Sequence, residues 1–450
     1  MDKKPSDARA LAVPTGRFTR FGRLGSMTAG IAGNMAVNGI AQLGQGQRPA
    51  MRDLLLTPGN ITRVADQLAK MRGAAMKIGQ LMSMDTGDVL PPELPQIMAR
   101  LRDDAHFMPP AQLKKVLNAH WPENWLRSFE RFDVRPIAAA SIGQVHRARL
   151  KSGEELAIKV QYPGVAESID SDVANVGMLM RMSGLLPSGF DLAPYLEEAR
   201  KQLHEETDYQ REGEHLSRFG TLLEADTRFV VPKLDARWTT PGILAMSYVS
   251  GTPIEDARHA PQGVRDKIAR DLIDLTLREL FAFGMMQTDP NFANYFYDAE
   301  ADKIVLLDFG ATRTFGPVVI DQYARLMLAG IEDDHDAIDG IVGEIGFVAS
   351  DTKLSHRAQI VDMIRTVFGA LSKSERFDFS DPELSRAMQA KGTALAEDGF
   401  VPPPLPIDVL LLQRKFGGVF LMAARLGAKV DVMTLLRPYL QDRRRQLRSA

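Results

Sequence analysis

Across residues 60–84, Val64, Leu68, Met71, Ala75, Ile78 and Met82 recur at steps of three and four, which predicts a helix with one apolar stripe. Lys77 and Gln80 stand on a neighbouring face. Gly79 between them, a residue that costs a helix about 1 kcal/mol relative to Ala, marks a close approach by another group. The period then changes. Residues 145–150 and 155–161 read as two strands joined by the turn Lys151, Ser152, Gly153. In the second strand Leu156, Ile158 and Val160 alternate with Ala157 and Lys159, so the lysine shares a face with a small residue and points away from the aliphatic set. A helix is predicted from about Leu192 through the acidic run at Glu205, a strand over 243–249, a helix over 264–283 and a buried strand over 304–307 ending at Asp308. Beyond Pro317 the pattern is helical, interrupted at 402–406, and no apolar run reaches the length of a membrane span.

Composition narrows the choices. With 450 residues and about 150 residues per domain, the chain allows roughly three domains. The 55 basic and 57 acidic residues leave a net charge of −2, so no global basic field exists to hold a nucleic acid. The absence of cysteine excludes disulfides, thiolate catalysis and Cys-type metal sites. Residues 1–50 are locally basic, and the uncharged, Gly-rich stretch 24–47 reads either as a flexible leader or as a weak amphipathic helix touching membrane. Arg443, Arg444, Arg445 and Arg448 suit either a solvated tail or an anionic lipid surface, where each is worth about 1 kcal/mol. His335 among Asp333, Asp334 and Asp336 reads as a helix cap in preference to a metal site.

Three separated pieces carry chemistry: Lys159 in its strand, Asp289 and Asn294 in a turn, and Asp308, Phe309, Gly310 closing a strand. Each alone is weak. Their order and context match the working parts of a protein-kinase-like site. Phosphoryl transfer asks a protein chiefly to hold phosphates and magnesium and to orient the attacking oxygen. Lys159 is expected to meet the α and β phosphates, Asn294 and Asp308 to offer hard oxygen ligands to Mg2+, and Asp289 to accept the proton or position the nucleophile. Two features depart from an ordinary protein kinase. Where a glycine-rich loop should cover the phosphates stand Ala138, Ala139, Ala140 and Ser141, whose Cβ atoms disfavour positive φ. Asp289 follows Gln287 and Thr288, not His and Arg, and no APE segment follows Asp308.

Over about residues 60–400 these strings resemble the UbiB/AarF/ADCK atypical kinase family: KIGQ at 77–80, AAASIGQVHR at 138–147, Glu206-Thr207-Asp208, QTDPNFAN and LLDFGATR. The resemblance implies that Lys77 pairs with Glu206 to close the nucleotide pocket to bulky substrates, a regulatory set of Lys77, Gln80, Glu206 and Asp208, and that Glu212 is the helix partner of Lys159. Asp208 and Glu212 stand four apart on one predicted helix face and Glu206 elsewhere, so the carboxylates can serve two lysines. Without the family, the acidic run would read as a solvated face. The expected nucleotide-binding residues are Ala138, Ala139, Ala140, Ser141, Ala157, Lys159, Met246 and Tyr248, the last two in a hinge strand whose Ser247 replaces a commonly acidic position. Catalysis is expected of Asp289, Lys159 and Glu212.

The expected fold is α+β, bilobed and protein-kinase-like, with a leader at 1–50, a helical extension at 51–130, a small lobe at 131–250 and a helical lobe at 251–450. The resemblance implies magnesium-dependent ATP binding and hydrolysis supporting ubiquinone biosynthesis. The implied partners are ATP or ADP, membrane lipid or quinone intermediates and quinone biosynthetic enzymes, with no nucleic acid. The implied place is the cytoplasm, peripheral to the inner membrane, or the matrix side in a mitochondrion. A true kinase for a lipid or protein acceptor and a nucleotide-binding scaffold are the competing expectations.

Overall fold

The computed structural model describes residues 74, 75, 77, 78, 107–140, 142–182, 191–373 and 375–449, without the side chains of 182 and 442–449. The leader, most of the helix predicted over 60–84, Gln80, Ser141 and the side chains of the tail arginines lie outside the described residues. The chain forms two compact units, one of residues up to 217 with 233–248, the other of 218–232 with 249 onward.

In the first unit, α1 (Pro110–His120) begins with proline at its first position, where the missing N–H has no intrahelical partner to lose. Leu113, Val116 and Leu117 form its buried face. The sheet runs in the order β1 (Phe129–Phe132), β3 (Gly143–Leu150), β4 (Glu155–Gln161), β5 (Ile243–Ser247), with β2 (Ala138–Ala139) paired to β3. All these pairings are antiparallel. The β3–β4 register runs from Gly143 opposite Gln161 to Arg149 opposite Glu155, and the predicted turn forms with Gly153 at φ 95°, a left-handed conformation that suits glycine. Leu156, Ile158 and Val160 pack into a core with Trp121, Trp125 and Phe129. Trp121 stands edge-on to Trp125 at 5.1 Å and stacks on Phe129 at 5.5 Å, geometries favoured by aromatic quadrupoles. This wall holds one face of β4 and leaves Ala157 and Lys159 on the other. Helices α2 (Val165–Met182), α3 (Ala193–Glu206) and α4 (Tyr209–Leu222) follow.

The second unit is mainly helical: α5 (Gln262–Arg278), α6 (Pro317–Glu332), α7 (His335–Ile345), α8 (Leu354–Ser372), α9 (Glu383–Glu397), α10 (Ile407–Leu426) and α11 (Val432–Ser449). The helix predicted over 264–283 is α5 continued by a π-helical turn, Glu279–Phe283, that stops at Gly284 with φ 61°. Strands β6 (Met285–Gln287) and β9 (Thr312–Thr314) pair antiparallel, as do β7 (Tyr295–Asp298) and β8 (Lys303–Leu306). Asp334 caps α7, its carboxylate accepting the Ala337 N–H at 3.0 Å. Among the described residues no helix is long and apolar enough to cross a membrane.

Candidate functional site

Lys159 emerges from the aliphatic strand β4 into a place only 7% exposed, where an ammonium without a counter-charge would be costly. Glu212 on α4, 2% exposed, supplies it: Nζ donates to both carboxylate oxygens at 2.8 and 2.9 Å. The Tyr209 ring, one helical turn earlier, lies 5.1 Å from the same ammonium, within cation–π range. Lys159 is therefore fixed from two sides by α4.

The alanine-rich segment is a strand turn: Ala138 pairs with Val145 and Ala139 with Gln144, and Ala138, Ala139 and Ala140 all keep negative φ. At its far side a Cβ on Gly143 would stand 2.5 Å from the Val160 carbonyl oxygen and 2.9 Å from the Tyr209 hydroxyl, so only glycine fits. His146 continues the strand inward. Its Nδ1 lies 2.8 Å from the Asp133 carbonyl and its Nε2 2.8 Å from Gln144 Nε2, while Gln144 Oε1 accepts the Met108 N–H. Because a carbonyl can only accept, Nδ1 carries the proton and the ring is neutral. Burial pulls its proton affinity down to about 4. Among the hinge residues, Met246 pairs with Ala157. The Tyr248 N–H donates to the Glu155 carbonyl at 2.8 Å, which leaves its own carbonyl as the backbone group of Tyr248 outside that bond. The Arg147 guanidinium lies 4.1 Å from the centre of the Tyr248 ring.

Lys77, helical and buried, forms an ion pair with Glu206. Asp208 corrects one expectation. It does not share a helix with Glu206 or stand on a helical face with Glu212, because α3 ends at Glu206 and Asp208 is exposed ahead of α4. Its carboxylate accepts the N–H groups of Gln210 and Arg211 at 3.1 and 3.0 Å, the local bonding that makes aspartate break one helix and start the next. The break leaves the Thr207 carbonyl open to Gln161 Nε2 at the end of β4, at 2.5 Å.

In the second unit, β-hairpin register brings the other residues together. Tyr295 stands opposite Leu306, and the Leu307 N–H donates to the Asn294 carbonyl at 3.1 Å, so Asn294 and Asp308 share one end of the β7–β8 pair. Asn294 Nδ2 donates to the Asp289 carbonyl and to Asp289 Oδ2, both at 3.1 Å. Only the NH2 end of an amide can do this, so the Asn294 side-chain oxygen is not the atom that bonds to Asp289. Asp308 Oδ1 accepts the Gly310 N–H at 2.9 Å. Phe309 is buried with its ring 4.9 Å from that of Phe219. Thr288, standing where an ordinary protein kinase has arginine, donates its N–H and its hydroxyl to the Ala311 carbonyl at 3.1 and 2.7 Å, tying the turn to the segment after Asp308.

Two contributors escaped the sequence reading. Arg414 on α10 forms an ion pair with Asp289 Oδ1, and the adjoining Lys415 is 1% exposed beneath the same turn. Residues 407–426 show only an amphipathic helix, and a partner more than a hundred positions away leaves no local signal.

The ABC1 atypical kinase-like domain matches residues 100–342, more than half of the chain. The chain is 38% identical to the mitochondrial atypical kinase COQ8 of Saccharomyces cerevisiae, over 97% of this chain and 87% of the relative. It is 36% identical to the mitochondrial atypical kinase COQ8B of Rattus norvegicus, over 94% and 80%, and 25% identical to the probable protein kinase UbiB of Azotobacter vinelandii, over 81% and 68%. Among solved structures, Rv3197 of Mycobacterium tuberculosis, determined with erythromycin, shares the fold with a TM-score of 0.59 at 24% identity, covering 82% of this chain and 92% of that one. The fold is that of a protein-kinase-like α+β protein, and the chain belongs to the ABC1 atypical kinases, the UbiB/COQ8/ADCK family, as an atypical kinase of the UbiB type.

Proposed function

We propose that the protein binds ATP with magnesium and hydrolyses it, and that this activity supports ubiquinone biosynthesis at a membrane surface. The observation that carries the reading is the meeting of Asp289, Asn294 and Asp308 around one hairpin end, in a chain that also holds a buried Lys159–Glu212 pair. In this reading Lys159, oriented by Glu212, neutralises the α and β phosphates. Asn294 and Asp308 hold magnesium, which when bound draws charge from the phosphate oxygens; the amide oxygen and the carboxylate suit that hard cation. Asp289 orients the attacking oxygen and receives its proton. The alanine hairpin β2–β3 limits how the backbone closes over phosphate, and the Lys77–Glu206 pair excludes bulky acceptors, which favours water or a small molecule over a peptide.

The quinone role and the membrane follow from the family. The relatives named COQ8 are mitochondrial proteins, and the peripheral attachment proposed here rests on the basic leader and arginine-rich tail. ATP turnover by the intact protein and by Asp308→Asn, with and without anionic liposomes, tests the proposal. Asp308→Asn is expected to lose most of the turnover, and liposomes to raise the unmodified protein's rate. Equal rates in both proteins would favour a nucleotide-binding scaffold, and transfer of labelled γ-phosphate to a defined acceptor would favour a true kinase.

A further inference from the structure

Helix α10 presents three residues, Arg414, Lys415 and Gly418, to the turn that holds Asp289. Gly418 touches it so closely that a Cβ there would collide with the Pro290 ring. Lys415 sends its ammonium into a fully buried place, where it donates to the Gln287 carbonyl at 2.8 Å and the Tyr295 hydroxyl at 3.0 Å and lies 3.1 Å from Glu279 Oε2. Burial alone would strip its proton, but the Glu279 carboxylate, from the π-helical turn after α5, holds its proton affinity above the ordinary lysine value.

The bonds continue from Lys415 to the reacting group. Gln287 is held at its carbonyl by Lys415 and at its side-chain oxygen by the Tyr295 hydroxyl at 3.3 Å. Its side-chain nitrogen donates to the Asp289 carbonyl at 2.9 Å, the same oxygen that Asn294 Nδ2 reaches at 3.1 Å. Displacing the ammonium would release Gln287, and Gln287 would release the backbone of Asp289. An ordinary salt bridge would need only Glu279. The two additional acceptors, one of them a backbone carbonyl two residues from Asp289, are what a positioning device requires.

We propose that Lys415 is a positioning residue for Asp289, acting through Gln287 and Tyr295, and that this buried ammonium on a distant helix sets the catalytic turn where Gln287 and Thr288 replace His and Arg. The inference rests on the assignment of Asp289 to the chemistry. It separates a structural from a positioning role because the two charges can be removed together.

The test uses the full chain. Lys415→Met leaves Glu279 buried and unpaired, and its melting temperature should fall. Lys415→Met combined with Glu279→Gln removes both charges and should melt close to the unmodified protein. The double variant should keep its ATP dissociation constant within twofold, measured by calorimetry, while kcat falls by roughly 10²-fold, as expected for a misplaced catalytic group. The triple variant, with Asp289→Asn added, should be no slower than Asp289→Asn alone, because both changes act on one group. Unmodified kcat in a folded double variant would overturn the inference, as would a triple variant whose losses multiply. If the double variant does not fold, Tyr295→Phe carries the test: it removes one acceptor and one link to Gln287, and should lower kcat several-fold with KM unchanged, whereas unchanged kcat overturns the proposal. Asp289→Asn alone keeps the two claims apart, since full turnover in that variant would overturn the site assignment itself.

Discussion

His146 shows how a single buried side chain can set the acid limit of the first unit. Its neutral ring accepts from Gln144 and donates to the Asp133 carbonyl, so a second proton would meet Gln144 Nε2, itself a donor. Folded His146 takes that proton only near pH 4, whereas an unfolded histidine takes it near 6.5. The unfolded state therefore binds more protons in this window and stability is lost as pH falls through it, by about 2 kcal/mol between pH 7 and pH 5. Urea unfolding of His146→Gln at the two pH values should show that much less pH dependence; an identical dependence would remove His146 from the account. At this scale the sequence was informative where chemistry and local pattern coincide. Lys159 could be picked out because strand alternation isolates it beside Ala157 on one face of β4. Arg414 and Lys415 could not, because the groups that give them meaning are brought near only by folding.

Elements show the same division. The hairpin of β3 and β4 was legible, since a glycine-containing turn between two alternating runs has few other solutions, and the structure adds only Gly143 and Gln144 to the front of β3. The junction between α3 and α4 was not. No glycine or proline stands between Leu203 and Glu212, and it is the side chain of Asp208, bonding to backbone two and three residues on, that breaks the helix. The alanine hairpin offers two tests. Gly143→Ala places a methyl against the Val160 carbonyl and the Tyr209 hydroxyl, and denaturation should show a loss of about 2 kcal/mol, in the range for overpacking; no loss would mean that β2–β3 shifts freely. Ala139→Gly adds backbone freedom in the hairpin proposed to clamp phosphate while leaving the fold intact, so the dissociation constants of ATP and ADP should move by several-fold. Equal constants in the two proteins would mean that the alanine methyl groups do not govern the clamp.

At the scale of the whole molecule, the first unit holds Lys159 on Glu212, and the second brings Asp289, Asn294 and Asp308 to one corner. Membership in the ABC1 atypical kinases adds the expectation of a role in making quinone. Cells lacking the chain should accumulate early quinone intermediates and lose ubiquinone, a profile restored by the unmodified gene and not by Asp308→Asn. The family strings were legible in the primary order because the groups proposed to meet phosphate and metal sit in short, contiguous motifs, whereas the supports behind them are scattered. The most direct measurement is magnesium-dependent ATP turnover by the purified full chain beside Asp308→Asn at matched folding. A rate that requires magnesium and falls by at least 10²-fold on losing that carboxylate is predicted; the same rate in both proteins, or turnover indifferent to magnesium, would contradict the account.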